Sequence, residues 1–180
     1  MLSEIRNQEP TMRHRMQIFI AIVFGLLLFG TARAGATFVQ TPYAAPKVVF
    51  DFFLDDPAKM GAALYWIRAL ALALSEEPYE FNPETVKVVI HGTEVVTLAK
   101  KNEERYKDDV ERMRYYADLG VEFKVCVVAM DDYGYNLEGM QDFVQVVPSG
   151  PAELVHWQHQ GYAVITPQIM DKKFSIESIR

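Results

Sequence analysis

The chain has a single cysteine, Cys126, in 180 residues, so no disulfide can form within it and its stability has to come from packing. Basic charge is also scarce: 18 Lys and Arg stand against 24 Asp and Glu, a formal net charge of −6. Four of those 18 and two of those 24 lie in the first 34 residues, so the rest of the chain is more acidic still. With no basic patch to replace phosphate counterions, and no aromatic residues interleaved with Lys or Arg runs, nucleic acid and anionic membrane surfaces are excluded as partners. Long apolar runs are missing too. The longest, the 13 residues from Ile18 to Gly30, falls short of the roughly 20 that cross a hydrocarbon core as a stable helix. There is no phosphate-cradling Gly-rich loop after the first strand, no G-x-S-x-G elbow and no C-x-x-C pair. The common cofactor and hydrolase sites therefore lack their residues, and no cofactor is expected.

The short apolar run is informative for what flanks it. Met12-Arg-His-Arg15 supplies a positive n-region, Ile18 to Gly30 the apolar core and Ala32-Arg-Ala34 an A-x-A site, the three parts of a cleavable secretory signal peptide. Residues 1–34 are read as that signal, with Met12 as an alternative start, and 35–46 as a flexible leader. Residues 47–180 form a single α/β domain, large enough to bury a core of its own. Export to the periplasm or beyond is the expected localisation; a membrane anchor is the alternative if the segment stays uncleaved.

Within the domain, apolar runs rich in β-branched and aromatic residues predict strands at Lys47–Leu54, Val86–Ile90, Val121–Val128, Phe143–Val147 and Tyr162–Ile165. Between them, Asp56 and Pro57 open a helix to Leu74, Asn102 caps one that runs to Leu119 with Gly120 as its C′ residue, and Pro151 starts a short one through Trp157. Alternation of strands and helices predicts a central, mostly parallel five-stranded sheet covered on both faces. The first helix carries one charge, Arg68, between Gly61 and Leu74. An apolar circumference of that kind predicts one side on the sheet and the other in a subunit interface.

Ligands of parallel α/β sheets bind at the carboxyl ends of the strands. That rule selects Asp55 and Asp56, His91 and Gly92, Cys126 to Asp132, and Pro148 to Gly150. Cys126 is the leading candidate, because a thiolate late in a strand can receive backbone N–H groups from the segment that follows; an inert core position is the other reading. His91 is a candidate proton carrier or a strand-end cap. Asp131 and Asp132 form an acidic pair or a solvated turn. His156 and His159 share a helix face with i, i+3 spacing, but no third ligand lies nearby in sequence, so no metal is expected.

Three stretches carry a resemblance: Val88-Val-Ile-His-Gly92, Gly120-Val-Glu-Phe-Lys-Val-Cys126, and Val146-Val-Pro-Ser-Gly150 followed by Glu153-Leu-Val and Gln160-Gly-Tyr-Ala-Val-Ile165-Thr-Pro. In order and spacing, from about Lys47 to Pro167, they resemble the DsrE/DsrF family of small single-domain proteins. The resemblance implies a flavodoxin-like three-layer fold, assembly as a homo-oligomer (trimer or hexamer) and a link to sulfur trafficking. It also implies that Cys126, at the position of the family's relay cysteine, carries sulfur as a persulfide and passes it to a partner protein; the strand-end reading adds His91 as its candidate accessory. The competing expectation is a non-catalytic oligomeric binding or scaffold module of the same fold with Cys126 buried.

Overall fold

The computed structural model describes residues 35–76 and 79–180; the signal-peptide reading of the N-terminus lies outside the described residues. Two compact units are distinguished, 1–40 and 41–180. Residues 35–40, the described part of the first, are exposed and form no helix or strand. The second holds the sheet.

Five parallel strands, β1 (Val48–Phe52), β2 (Val86–Ile90), β3 (Glu122–Cys126), β4 (Val144–Val147) and β5 (Ala163–Ile165), stand in the order β4-β3-β2-β1-β5. Between them lie α1 (Met60–Leu74), α2 (Lys107–Asp118), α3 (Val127–Asp132) and α4 (Gly150–His159), and a last turn of helix, α5 (Ile176–Ile179), ends the chain. Among the described residues no helix is long and apolar enough to cross a membrane.

Register divides the sheet into two unlike faces, because successive strand residues point to opposite sides. On one face Val48, Phe50 and Phe52 of β1 pair with Val86, Val88 and Ile90 of β2, and Phe123 and Val125 of β3 follow. All are buried together with Met60, Ala63, Leu64 and Ile67 of α1 and Val110 and Met113 of α2. This is the hydrophobic core. The other face carries Asp51, Lys87, Glu122, Lys124 and Gln145 beside the fully buried Val49 and Val89 and packs against α4, an arrangement that the apolar strand runs did not announce.

Most element ends follow the expected local chemistry. Asp56 accepts from the Ala58 amide at 2.8 Å and opens a 3-10 turn, Pro57–Lys59, that leads into α1. Gly120 takes φ +106 after α2, a conformation an L side chain resists. Two expectations are corrected. Asn102 does not cap α2, which starts only at Lys107; its side-chain amide donates instead to the Val96 carbonyl at 2.8 Å and the Tyr135 hydroxyl at 3.0 Å. The third strand stops at Cys126 rather than Val128, and Val127–Asp132 is helical. That turn buries Ala129 and Met130 and leaves Val128 exposed, so tertiary packing overrides the β preference of the two valines. It also moves Asp131 and Asp132 from a turn onto the end of a helix.

Candidate active site at the carboxyl end of the sheet

The strand-end residues converge on one cluster around His91. Its Nε2 lies 2.7 Å from Asp51 Oδ1, and the other carboxylate oxygen accepts from Thr166 Oγ1 at 2.9 Å. An ionised carboxylate can only accept, so Nε2 carries a proton and the neutral ring keeps its lone pair on Nδ1. Phe53, 69% exposed, stacks on the imidazole with centroids 5.0 Å apart. The hydrogen bond from His91 holds the Asp51 carboxyl below the ordinary range; partial burial opposes it, and the Thr166 hydroxyl and the attraction of the imidazole add to it.

That shift has a direction in stability. A carboxyl whose folded pKa lies below its unfolded value, about 3.9 for Asp, contributes stability that is fully present above that value and is lost as pH falls through the folded pKa. Urea unfolding of Asp51→Asn should therefore show a deficit against the parent that is constant near pH 5 to 6 and closes below about pH 4. A deficit unchanged down to pH 2 would refute the hydrogen-bonded carboxylate.

The backbone beneath the ring is held by Glu94, which is fully buried. Its Oε1 accepts from the amides of His91 at 3.1 Å and Gly92 at 2.9 Å, and its Oε2 from the Leu54 amide at 2.9 Å. Burial pushes this carboxyl above the ordinary range, and the three amides oppose the shift without cancelling it. Gly92 is required by the same clamp: a Cβ there would stand 2.5 Å from Glu94 Oε2 and 2.7 Å from the Leu54 amide nitrogen. Gly150, the first residue of α4, packs as tightly on the other side, where a Cβ would meet His91 Cβ at 2.7 Å.

Cys126 is the next residue in this row. Ile90 of β2 pairs with Val125 and Val147 of β4 with Cys126, so one step further His91 stands beside Cys126, and alternation puts both on the face covered by α4. The cysteine is 4% exposed and occupies the N-cap position of α3. In front of His91 opens a cleft of about 340 Å³, walled by Phe53, Thr93, Ala129, Asp132 and Tyr133.

The structure thus brings His91, Gly92 and Asp132 onto one cleft and Gly150 against His91, while Cys126 stands next to His91 in the strand row and is not among the residues that line the cleft. The remaining sequence candidates do other work. Asp55 pairs with Lys59 at 2.9 Å, Asp56 caps its turn, and Ser149 Oγ accepts from the Ala152 amide at 3.4 Å as the cap of α4. His156 and His159 lie toward the C-terminal end of α4, away from the strand ends, and His156 meets Trp157 edge-on at 5.1 Å. Sequence reasoning missed Asp51, Thr166, Phe53 and Glu94. A signal for Asp51 was present: a lone carboxylate inside the run Val48-Val-Phe-Asp-Phe-Phe53 has to find a partner once the strand is buried.

A family model described as the DsrE/DsrF-like family matches residues 47–167. No curated protein matches the chain. A solved structure of a protein of unknown function from Methanobacterium thermoautotrophicum is 26% identical, covers 68% of this chain and 99% of its own, and superposes with a TM-score of 0.54. The matched span covers well over half of the chain, and the chain belongs to the DsrE/DsrF-like family.

Proposed function

We propose that this protein is exported and carries sulfur as a persulfide on Cys126, receiving it from a donor protein and passing it to an acceptor. The observation that carries the reading is the Asp51–His91 pair standing next in the row to the only thiol of the chain. The thiolate is the reactive form, and an imidazole whose Nε2–H is engaged by a carboxylate has Nδ1 left to take the thiol proton, the logic of oriented general bases.

The transfer balances without an oxidant. Cys126 Sγ attacks the terminal sulfur of the donor persulfide, a new S–S bond forms at Cys126 as the donor's S–S bond breaks, and the departing donor thiolate takes up the proton that Cys126 gave to His91. Delivery to the acceptor is the same step run in the other direction. Tyr65, Trp66 and Leu72, exposed on the outer side of α1, suit a contact between copies in a homo-oligomer, trimer or hexamer.

After incubation of native protein with a persulfide donor, mass spectrometry should find one added sulfur on Cys126 and none on Cys126→Ala. An unmodified parent, or an adduct that survives the substitution, would sink the proposal. The second reading, a non-catalytic binding or scaffold module, is favoured by the 4% exposure of Cys126; under it the thiol reacts only when the protein unfolds.

A further inference from the structure

The two faces of the sheet hold their helices by different forces. On the core face α1 buries Met60, Ala63, Leu64 and Ile67. On the other face α4 buries Gly150 only, and beneath it lie two lysines, Lys87 and Lys124, at 4% and 6% exposure. Polar contacts join the buried Val49 and Val89 in seating the helix. Lys124 Nζ lies 2.9 Å from Glu122 Oε2 and 3.7 Å from Glu153 Oε1 and donates to Gln145 Oε1 at 2.8 Å, while Lys87 pairs with the other oxygen of Glu122. Trp157 donates to Glu153 Oε1 at 2.8 Å, and its ring centre stands 5.1 Å from Lys87 Nζ and 5.3 Å from Lys124 Nζ. The network is balanced, two ammonium groups against two carboxylates, and Lys87 also donates to the Glu84 carbonyl at 2.7 Å. Of its own residues α4 buries only Gly150, so fewer buried contacts have to be broken to lift it than to lift α1.

This loosely seated helix lies over the site. Its first residue is wedged against His91, and Cys126 alternates with Lys124 onto the same face, beside Val147, from which the chain enters α4 through Pro148 and Ser149. At the far end Gly161, with φ +83, leads into β5, an edge strand paired to β1 over three residues.

We infer that α4 is a cover on Cys126, seated by the Lys87, Lys124, Glu122, Glu153 and Trp157 network, and that it lifts between Pro148 and Gly161 to admit the sulfur donor. The purpose of the cover rests on the sulfur reading above; its opening does not. It reconciles a buried thiol with a transfer chemistry that needs an accessible one.

Because Cys126 is the only cysteine, alkylation by iodoacetamide, an uncharged reagent, reports on Cys126 alone, and at one fixed pH its rate is compared between variants that leave His91 in place. The native protein should label slowly, and roughly tenfold faster in Glu153→Gln and in Trp157→Ala, since the rate follows the population of the open form. Val110→Ala, which weakens the opposite face, should leave the rate of the folded protein near that of the parent.

Rates insensitive to Glu153→Gln and Trp157→Ala, or an equal acceleration by Val110→Ala, or no labelling before urea unfolds the chain, would each overturn the cover. If alkylation follows the α4 variants but Cys126 never gains sulfur, the cover stands and the sulfur reading falls. Sulfur loading at rates indifferent to the α4 variants would have the opposite meaning.

Discussion

Glu94→Ala is expected to lower the unfolding free energy by about 3 kcal/mol or more, the largest stability loss of any single substitution at the strand ends, because it strands buried amides that each cost about 1–3 kcal/mol without a partner. The carboxylate receives Leu54 on one oxygen and His91 and Gly92 on the other, so it ties the end of β1 to the end of β2 in a place water does not reach. Glu94→Gln should cost less: one oxygen survives for one side of the clamp, but the new NH2 faces amide donors on the other. Urea unfolding monitored by circular dichroism gives both values. A Glu94→Ala protein within about 0.5 kcal/mol of the parent, the range of an ordinary surface change, would show that the clamp is not what holds this turn. Since Phe53 and His91 flank the clamped backbone, the less destabilised Glu94→Gln should also misplace the imidazole against Asp51.

The largest effect on chemistry is expected at His91. Oriented acid–base groups contribute about 10² to 10⁴ in rate, so His91→Ala should slow sulfur loading of Cys126 by roughly a hundredfold near neutral pH. The defect should shrink as pH rises, because solvent base then removes the thiol proton that the imidazole otherwise takes. Asp51→Asn keeps the ring but presents it with an amide, which can turn its NH2 toward Nε2 and so favour the wrong tautomer; an intermediate loss, about tenfold, is expected. Time courses of the persulfide adduct across pH, read by mass spectrometry, measure all of these. Equal loading of His91→Ala and the parent at neutral pH would remove the histidine from the mechanism, and a defect constant with pH would make its role one of packing against Gly150.

How much of this was legible in the sequence depended on the range of the interaction. β2 ends where its apolar run ends, Asp56 and Gly120 act where their local chemistry puts them, and the strand-end rule gathered His91, Gly92 and Cys126 into one place before any coordinates. The partners of those residues were not legible. Leu54 and Glu94 meet across 40 residues, as do Asp51 and His91, and Thr166 reaches Asp51 across 115. No local pattern encodes such pairs. The polar residues of the α4 face were hidden for a related reason: nothing local marks Lys87 and Lys124 as buried until α4 is laid over them. The end of β3 was misjudged because Val127 and Val128 favour a strand on their own, whereas burying Ala129 and Met130 requires a turn there.

The strand order also sets an expected sequence of events in folding. β1 to β4 pair with strands that follow one another along the chain, so each contact closes only a moderate loop, while β5 must return to β1, with Ala163 beside Val48. Loop closure makes such distant pairings the slow ones. The four neighbouring strands and the hydrophobic core between α1, α2 and the sheet therefore form a unit that can assemble first, and α4 with β5 docks onto it last. The segment that completes the fold is then the one whose departure costs least, which gives the newly folded chain a late interval in which its single thiol is still open to whatever surrounds it.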